Sequence, residues 1–151
     1  MAEDRRMVRV TDGALAIRAY APRDESGVIA LWREVFPDDP PWNDPRAVIE
    51  RKLVTQPELF LVGTVHDMVV STVIAGFDGF RGWIYHLAVA SEHRRKGFGR
   101  ALMSEAERRL RHLGCPKINL QVRDDNAGAV EFYRRLGYRV EERVSFGKRL
   151  E

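Results

Sequence analysis

Hydrophobic positions change period along this chain, and each change marks an element. Over 14–20, Leu15, Ile17 and Ala19 alternate with Ala16, Arg18 and Tyr20, the two-residue period of a strand. Pro22-Arg23-Asp24 then opens a stretch with Val28, Ile29, Leu31, Trp32, Val35 and Phe36 on one helical side, stopped by Pro37. Asp44 as an N-cap ahead of Pro45 predicts a second helix to about Thr55, with Val48, Ile49, Lys52 and Leu53 at helical spacing. Residues 59–65 and 68–77 are apolar and rich in β-branched side chains, with only His66-Asp67 between them, and read as an antiparallel hairpin. Residues 1–12 are polar and read as a frayed, disordered N-terminus.

The stretch 83–113 organises the rest. An apolar strand over 83–90 becomes a basic turn, Arg94-Arg95-Lys96-Gly97-Phe98-Gly99-Arg100, which opens an amphipathic helix over 97–113, closed by Gly114 and Pro116. The first turn of a helix has backbone N–H groups without intrahelical partners and carries the positive end of the helix dipole. Glycines let a ligand approach that backbone closely, and arginines add full charge, so the junction suits a phosphate group. Neither a dinucleotide fingerprint nor a P-loop is present. A strand follows over 117–123, then a helix over 127–136 capped by Asp124-Asp125-Asn126 and ended by Gly137. Residues 138–144 and 145–150 read as two closing strands, a hairpin. The order β-α-α-β-β-β-α-β-α-β-β, without repeat or linker, describes one mixed α/β domain over 13–151.

Composition narrows the class. The chain has 151 residues, enough for one real core, and a net charge of +3 is too small to indicate a nucleic-acid binder by itself. Cys115 is the only cysteine, which excludes an intrachain disulfide and a cysteine-rich metal site. The four histidines, His66, His86, His93 and His112, follow no metal-ligand spacing. No apolar run reaches membrane-span length and the N-terminus lacks a signal core, so a cytoplasmic setting without membrane or metal is expected.

Two motifs together carry a resemblance. Arg94-x-x-Gly97-x-Gly99 at the head of the central helix, followed across one strand by Asp125-Asn126-x-x-Ala129-x-x-Phe132-Tyr133-x-x-x-Gly137-Tyr138, resembles the GNAT superfamily of N-acetyltransferases. The segments 41–45, 78–82, 114–117 and 147–150 look like its bacterial YpeA-type branch. The resemblance covers roughly 14–150. It implies a GNAT-like α/β fold with a splayed mixed sheet, and acetyl-CoA as co-substrate. By that resemblance, backbone groups of Leu87, Ala88 and Val89 would pair with pantetheine. N–H groups of the loop bearing Arg94, Arg95, Lys96, Gly97, Phe98, Gly99 and Arg100 would hold the pyrophosphate. Asn126 would meet the pantetheine arm or the phosphate side, and Tyr133 would stand near the thioester sulfur as proton donor to the leaving thiolate.

Each of these residues also has a purely structural reading. Tyr133 is at helical spacing from Val130 and Leu136, Asn126 makes a plain helix cap, and the basic turn could simply face water. A substrate pocket across the sheet from the cofactor would draw on Trp42, Asp44, Asp78, Arg81 and Tyr85, whose carboxylates and aromatics suit a cationic amine. Equally, Asp44 could only cap and Asp78 only turn. The general base is open. Gln121 stands where ribosomal-protein N-terminal acetyltransferases carry Glu, and an amide accepts no proton at neutral pH. Strand alternation places His86 on the face opposite Trp83 and Tyr85. His86 therefore reads as a packed or hydrogen-bonded histidine, and Asp44, Glu50, Asp78 and ordered water remain as candidates.

The expected function is direct acetyl transfer from acetyl-CoA to a primary amine in a ternary complex. The acceptor is a small molecule or a peptide, and the resemblance allows a homodimer through the closing strands. One rival is a non-catalytic acyl-CoA-binding sensor on the same fold. Another is a basic nucleic-acid module, although the turn holds no interleaved stacking aromatic beyond Phe98.

Overall fold

Residues 4–10 and 13–151 are described by a computed structural model and fall into two compact units, one ending at Leu120 and one running from Gln121 to Glu151. The first unit holds β1 (Arg5–Val10), β2 (Gly13–Ala19), α1 (Glu25–Val35), α2 (Pro45–Leu53), β3 (Phe60–Val65), β4 (Met68–Phe77), β5 (Gly82–Val89), α3 (Phe98–His112) and β6 (Ile118–Leu120). Its six strands lie in sequence order, antiparallel from β1 to β5 and parallel between β5 and β6. Only the β5–β6 step needs a crossover, and α3 supplies it.

The local signals are realised as residues. His66 and Asp67 both take positive φ, 49° and 62°, the conformation of a two-residue hairpin turn that matches strand twist. Asp44 caps α2 through Oδ2, which accepts from the Ala47 N–H at 3.2 Å. Gly114, at φ 84°, ends α3: its N–H donates to the Arg111 carbonyl, and Cys115 N–H donates to Leu110.

The two faces of the sheet are covered differently. On the α3 face, a Cβ at Gly63 would sit 3.0 Å from Leu15 Cδ1 and 3.1 Å from Leu102 Cδ2, so helix and strand meet there with no space left. Leu15, Ile17, Leu61, Val73, Leu102 and Leu110 form the fully buried core of this face. On the α1 face, Trp32 Nε1–H donates to Thr72 Oγ1 at 2.9 Å, and the Trp32 ring stacks over Phe60. Arg18 and Asp24, both nearly inaccessible, pair there at 2.6 and 2.9 Å.

Two expectations are corrected. Residues 5–10 are not a frayed tail: they form β1, paired to β2 from Arg5↔Arg18 to Val10↔Gly13, while 1–3 and 11–12 lie outside the described residues. Beyond its ladder with β2, this charged edge strand has a partner remote in sequence. Arg6 Nη1 donates to Glu105 Oε2 at 3.0 Å, and Glu105, wholly buried on α3, also binds Arg108 and Arg109. At the other end, the second unit contains α4 (Ala127–Arg135) and no strand. Where closing strands are expected, the Arg143 N–H donates to Glu141 C=O, a three-residue turn inside the charged run Glu141-Glu142-Arg143.

Candidate active site

β5 is irregular where the site is expected. Ser71↔Val89 and Thr72↔Ala88 pair with β4 in one register and Ile74↔Tyr85 in another, so His86 and Leu87 together oppose Val73. This is a β-bulge, which bends a strand and re-aims side chains. His86 takes up the irregularity with φ 50°, in the left-handed region. The bulge overturns the alternation argument for His86. Its ring lies on the α1 face, 4.6 Å from the Trp32 ring and 5.5 Å from Phe36. Tyr85 is on that face too, directly opposite Ile74, which is two residues from Thr72 under Trp32.

On its other edge, β5 pairs with β6 only from Gly82↔Ile118 to Ile84↔Leu120, where β6 ends. Tyr85 to Val89, including Leu87 and Ala88, run on past that end. After Val89 the chain makes one tight turn, Ser91–His93, and enters the basic loop. Arg95 at φ 64° and Gly97 at φ 87° both stand in the left-handed region, a conformation that turns successive N–H groups toward one concavity. Gly97 is the N-cap of α3 and no side chain caps the helix. Arg94, Arg95 and Arg100 are exposed and Lys96 is half-buried, while Arg94 Nε–H reaches back to Val89 C=O at 3.4 Å. Gly99 lies inside the first turn of α3, where absence of a side chain keeps the backbone approachable. Phe98 is buried and stacked 5.2 Å from His93, so it anchors the loop and is not available to stack on a base.

The substrate candidates fall in two groups, Trp42 and Asp44 ahead of α2, and Asp78, Arg81 and Tyr85 around the start of β5. Trp42 stands on the turn Pro41–Asn43, about half exposed, and its carbonyl accepts from Arg51 at 2.8 Å. Asp44 is occupied as the α2 cap. Asp78 accepts from the Phe80 and Arg81 N–H groups, both at 2.8 Å, and these bonds hold its carboxyl below the usual range. Arg81 turns its guanidinium onto Phe80 C=O at 3.0 Å. Partial burial, then the charge of Asp78, raises the Tyr85 phenol, although the ring is still half exposed.

In the second unit, Asn126 Oδ1 caps α4 by accepting from Ala129 N–H at 3.1 Å. Tyr133 is half-buried on α4 with edge-on contacts to Phe132 at 5.1 Å and Tyr138 at 5.8 Å. Burial pushes its phenol up to about 12, so it keeps its proton at neutral pH.

One pair escaped the sequence reading. Asp39, in the link between α1 and α2, places Oδ2 4.0 Å from His86 Nε2. No local signal announces it, because 47 positions separate the two residues by number and the bulge alone turns the imidazole to that side.

The site is thus a six-stranded sheet whose fifth strand bulges, outruns its parallel neighbour and feeds a basic helix start without a side-chain cap. The acetyltransferase (GNAT) family model matches residues 26–138, and the chain belongs to that family. An acetyltransferase of Yersinia pestis (strain Pestoides F) is 43% identical over 136 residues, 90% of this chain and 96% of that protein. Among solved structures, Ard1 from Thermoplasma volcanium aligns with a TM-score of 0.75 at 26% identity, covering 84% of each chain. The PaiA N-acetyltransferase from Thermoplasma acidophilum, solved in complex with coenzyme A, shares the fold with a TM-score of 0.76 at 19% identity, over 86% of this chain and 92% of its own. As a member of that family, the protein is an acetyl-CoA-dependent N-acetyltransferase. Among the described residues, no group of three or more His, Cys, Asp or Glu side chains could hold a metal, and no helix is long and apolar enough to cross a membrane.

Proposed function

We propose that the protein transfers acetyl directly from acetyl-CoA to the primary amine of a cationic small molecule or peptide, with both substrates bound together. The observation that carries this reading is the run of β5 past the end of β6 into the loop with two left-handed residues. Pantetheine pairs with Leu87, Ala88 and Val89 as an added strand, and a β5 N–H polarises the thioester carbonyl. The N–H groups from Arg95 to Arg100, with Arg94, Lys96 and the helix dipole, hold the pyrophosphate. Asn126 supports the coenzyme while capping α4.

Tyr133 serves the leaving thiolate. A phenol at about 12 is a weaker acid than a thiol near 8.5, so it offers a strong hydrogen bond before full proton transfer. Trp42 and Tyr85 give the acceptor pocket aromatic walls on the α1 side, while Arg81 and the carboxylates Asp44 and Asp78 shape its rim. A single, half-buried cysteine suits a reducing, cytoplasmic setting.

Calorimetric titration of acetyl-CoA into wild type and Gly99→Glu tests the cradle. Micromolar binding that Gly99→Glu weakens by about 100-fold or more supports it, since a carboxylate then competes for the phosphate site. No binding by wild type at low salt overturns the reading. Acetyl-CoA binding without turnover on any primary amine indicates the non-catalytic sensor instead.

A further inference from the structure

We propose that His86 is the general base of the transfer and that Asp39 holds the acceptor's ammonium group beside it. This rests on the acetyl-transfer reading above and extends it to a step for which the sequence motifs name no residue.

The His86 imidazole and the Asp39 carboxylate face one another, and Asp39 Oδ2 also accepts from Asn43 Nδ2 at 3.5 Å. His86 Nε2 and Asp39 Oδ2 are 4.0 Å apart, too far for a direct hydrogen bond. One nitrogen or water can bridge them with two bonds of ordinary length. Neither side chain is sealed: they are 13% and 25% exposed. The imidazole is also held in place. Trp32 and Phe36 pack against it, and Thr72 Oγ1–H, itself bonded by Trp32 Nε1–H, donates to the His86 carbonyl at 2.9 Å. The left-handed backbone at His86 is uncommon outside glycine, and such conformations concentrate at functional sites. It stands one residue before the Leu87–Val89 backbone that the transfer reading gives to the thioester arm.

The surroundings give the ring the right charge. α1 presents Trp32 and Phe36, β4 presents Thr72, and β5 itself has Tyr85 next in line; Asp39 is the charged group facing the imidazole. Burial lowers the His86 pKa and Asp39 offsets part of that. The lowered pKa favours the neutral ring, whose Nε2 can accept a proton when Nδ1 carries the other.

In the step, the R–NH₃⁺ acceptor docks between the two groups and one ammonium proton passes to Nε2. The free amine attacks the thioester carbon, so an N–C bond forms and the C–S bond breaks. A second N–H proton ends on the coenzyme A sulfur, giving the thiol, and the imidazolium releases its proton to water.

The test compares wild type with His86→Asn and Asp39→Asn. Asparagine tolerates the left-handed backbone, so His86→Asn keeps the bulge. Calorimetry with acetyl-CoA should give both variants affinities within about twofold of wild type, which certifies the fold and the cofactor site. On the best acceptor of a primary-amine panel, kcat should fall about 100-fold in His86→Asn and the acidic limb of the pH profile should vanish. In Asp39→Asn, KM for the amine should rise about tenfold. Its acidic limb should move to lower pH, because the group that raises the His86 pKa is gone. NMR titration of labelled imidazoles should show the same downward move. Turnover by His86→Asn within threefold of wild type with its acidic limb intact overturns the proposal. So does an imidazole titration that Asp39→Asn leaves unmoved, and this second readout decides even when no amine in the panel turns over. Wild type that fails to bind acetyl-CoA overturns the transfer reading itself, and His86 with it.

Discussion

The two faces of the central sheet solve different problems. The α3 face is apolar and closed: Leu15, Ile17, Leu61, Val73, Leu102 and Leu110 are at most 1% exposed, and at Gly63 there is no space even for a methyl group. Its one charged intrusion, Glu105, is satisfied on the spot by three arginines. The α1 face is polar and partly open. It holds a buried ion pair, Arg18–Asp24, a hydrogen-bond chain from Trp32 through Thr72 to the His86 carbonyl, and the Asp39 carboxylate. Polar groups under a helix have to be matched one by one, and an unmatched one is destabilising. A face organised this way is suited to chemistry, while the α3 face supplies the rigidity behind it.

That contrast can be broken from either side. On the α1 face, Asp24→Ala should have the largest effect, about 3–5 kcal/mol of stability in urea unfolding, because it removes the carboxylate that takes two hydrogen bonds from the buried Arg18. The same carboxylate makes a pH prediction. Burial opposes its ionisation, but the Arg18 and Ala21 hydrogen bonds and the charges of Arg18 and Arg23 prevail and lower its pKa. Its stabilisation is therefore present above the unfolded carboxylate pKa and fades as pH falls through the folded value.

On the α3 face, Leu102→Ala should cost about 2–5 kcal/mol through the cavity it leaves, with acetyl-CoA affinity unchanged at 25 °C. A parallel loss of affinity would mean that the two faces are not independent.

Glu105 sharpens the comparison by pH. Burial opposes its charge, but hydrogen bonds from Arg108, Arg109 and Arg6 hold the folded pKa at about 2 against 4.5. Its stabilisation is complete above pH 4.5 and is lost as pH falls toward 2, a total of about 3 kcal/mol. Glu105→Gln should flatten the acid limb of a stability-versus-pH curve and loosen β1 in hydrogen exchange. An unchanged acid limb would assign acid sensitivity to other carboxylates.

The smallest effect belongs to the cofactor loop. Gly97→Ala should cost about 1 kcal/mol, because alanine resists φ 87°, while nothing lies within 4 Å of the added methyl. If affinity for acetyl-CoA falls by much more than stability, the loop conformation itself is part of the binding site.

What the sequence determined by itself was local. Helix ends at Gly97, Gly114 and Gly137, the His66-Asp67 turn and the Asp44-Pro45 cap are each set by a few neighbouring residues, and all of them occur as read. The family motifs were legible for the same reason, since Arg94-x-x-Gly97-x-Gly99 is contiguous and α3 begins inside it. Tertiary structure decided whatever depends on partners distant in the chain. β1 pairs with β2 along its length and is also tied by Arg6 to Glu105, 99 positions away, and 138–150 holds no strand although its pattern reads as two. The face of His86 was decided by the register of β5 against β4, since one extra residue in a strand exchanges inside for outside. Only the assembled sheet contains that register, and with it the His86 imidazole turned toward the Asp39 carboxylate.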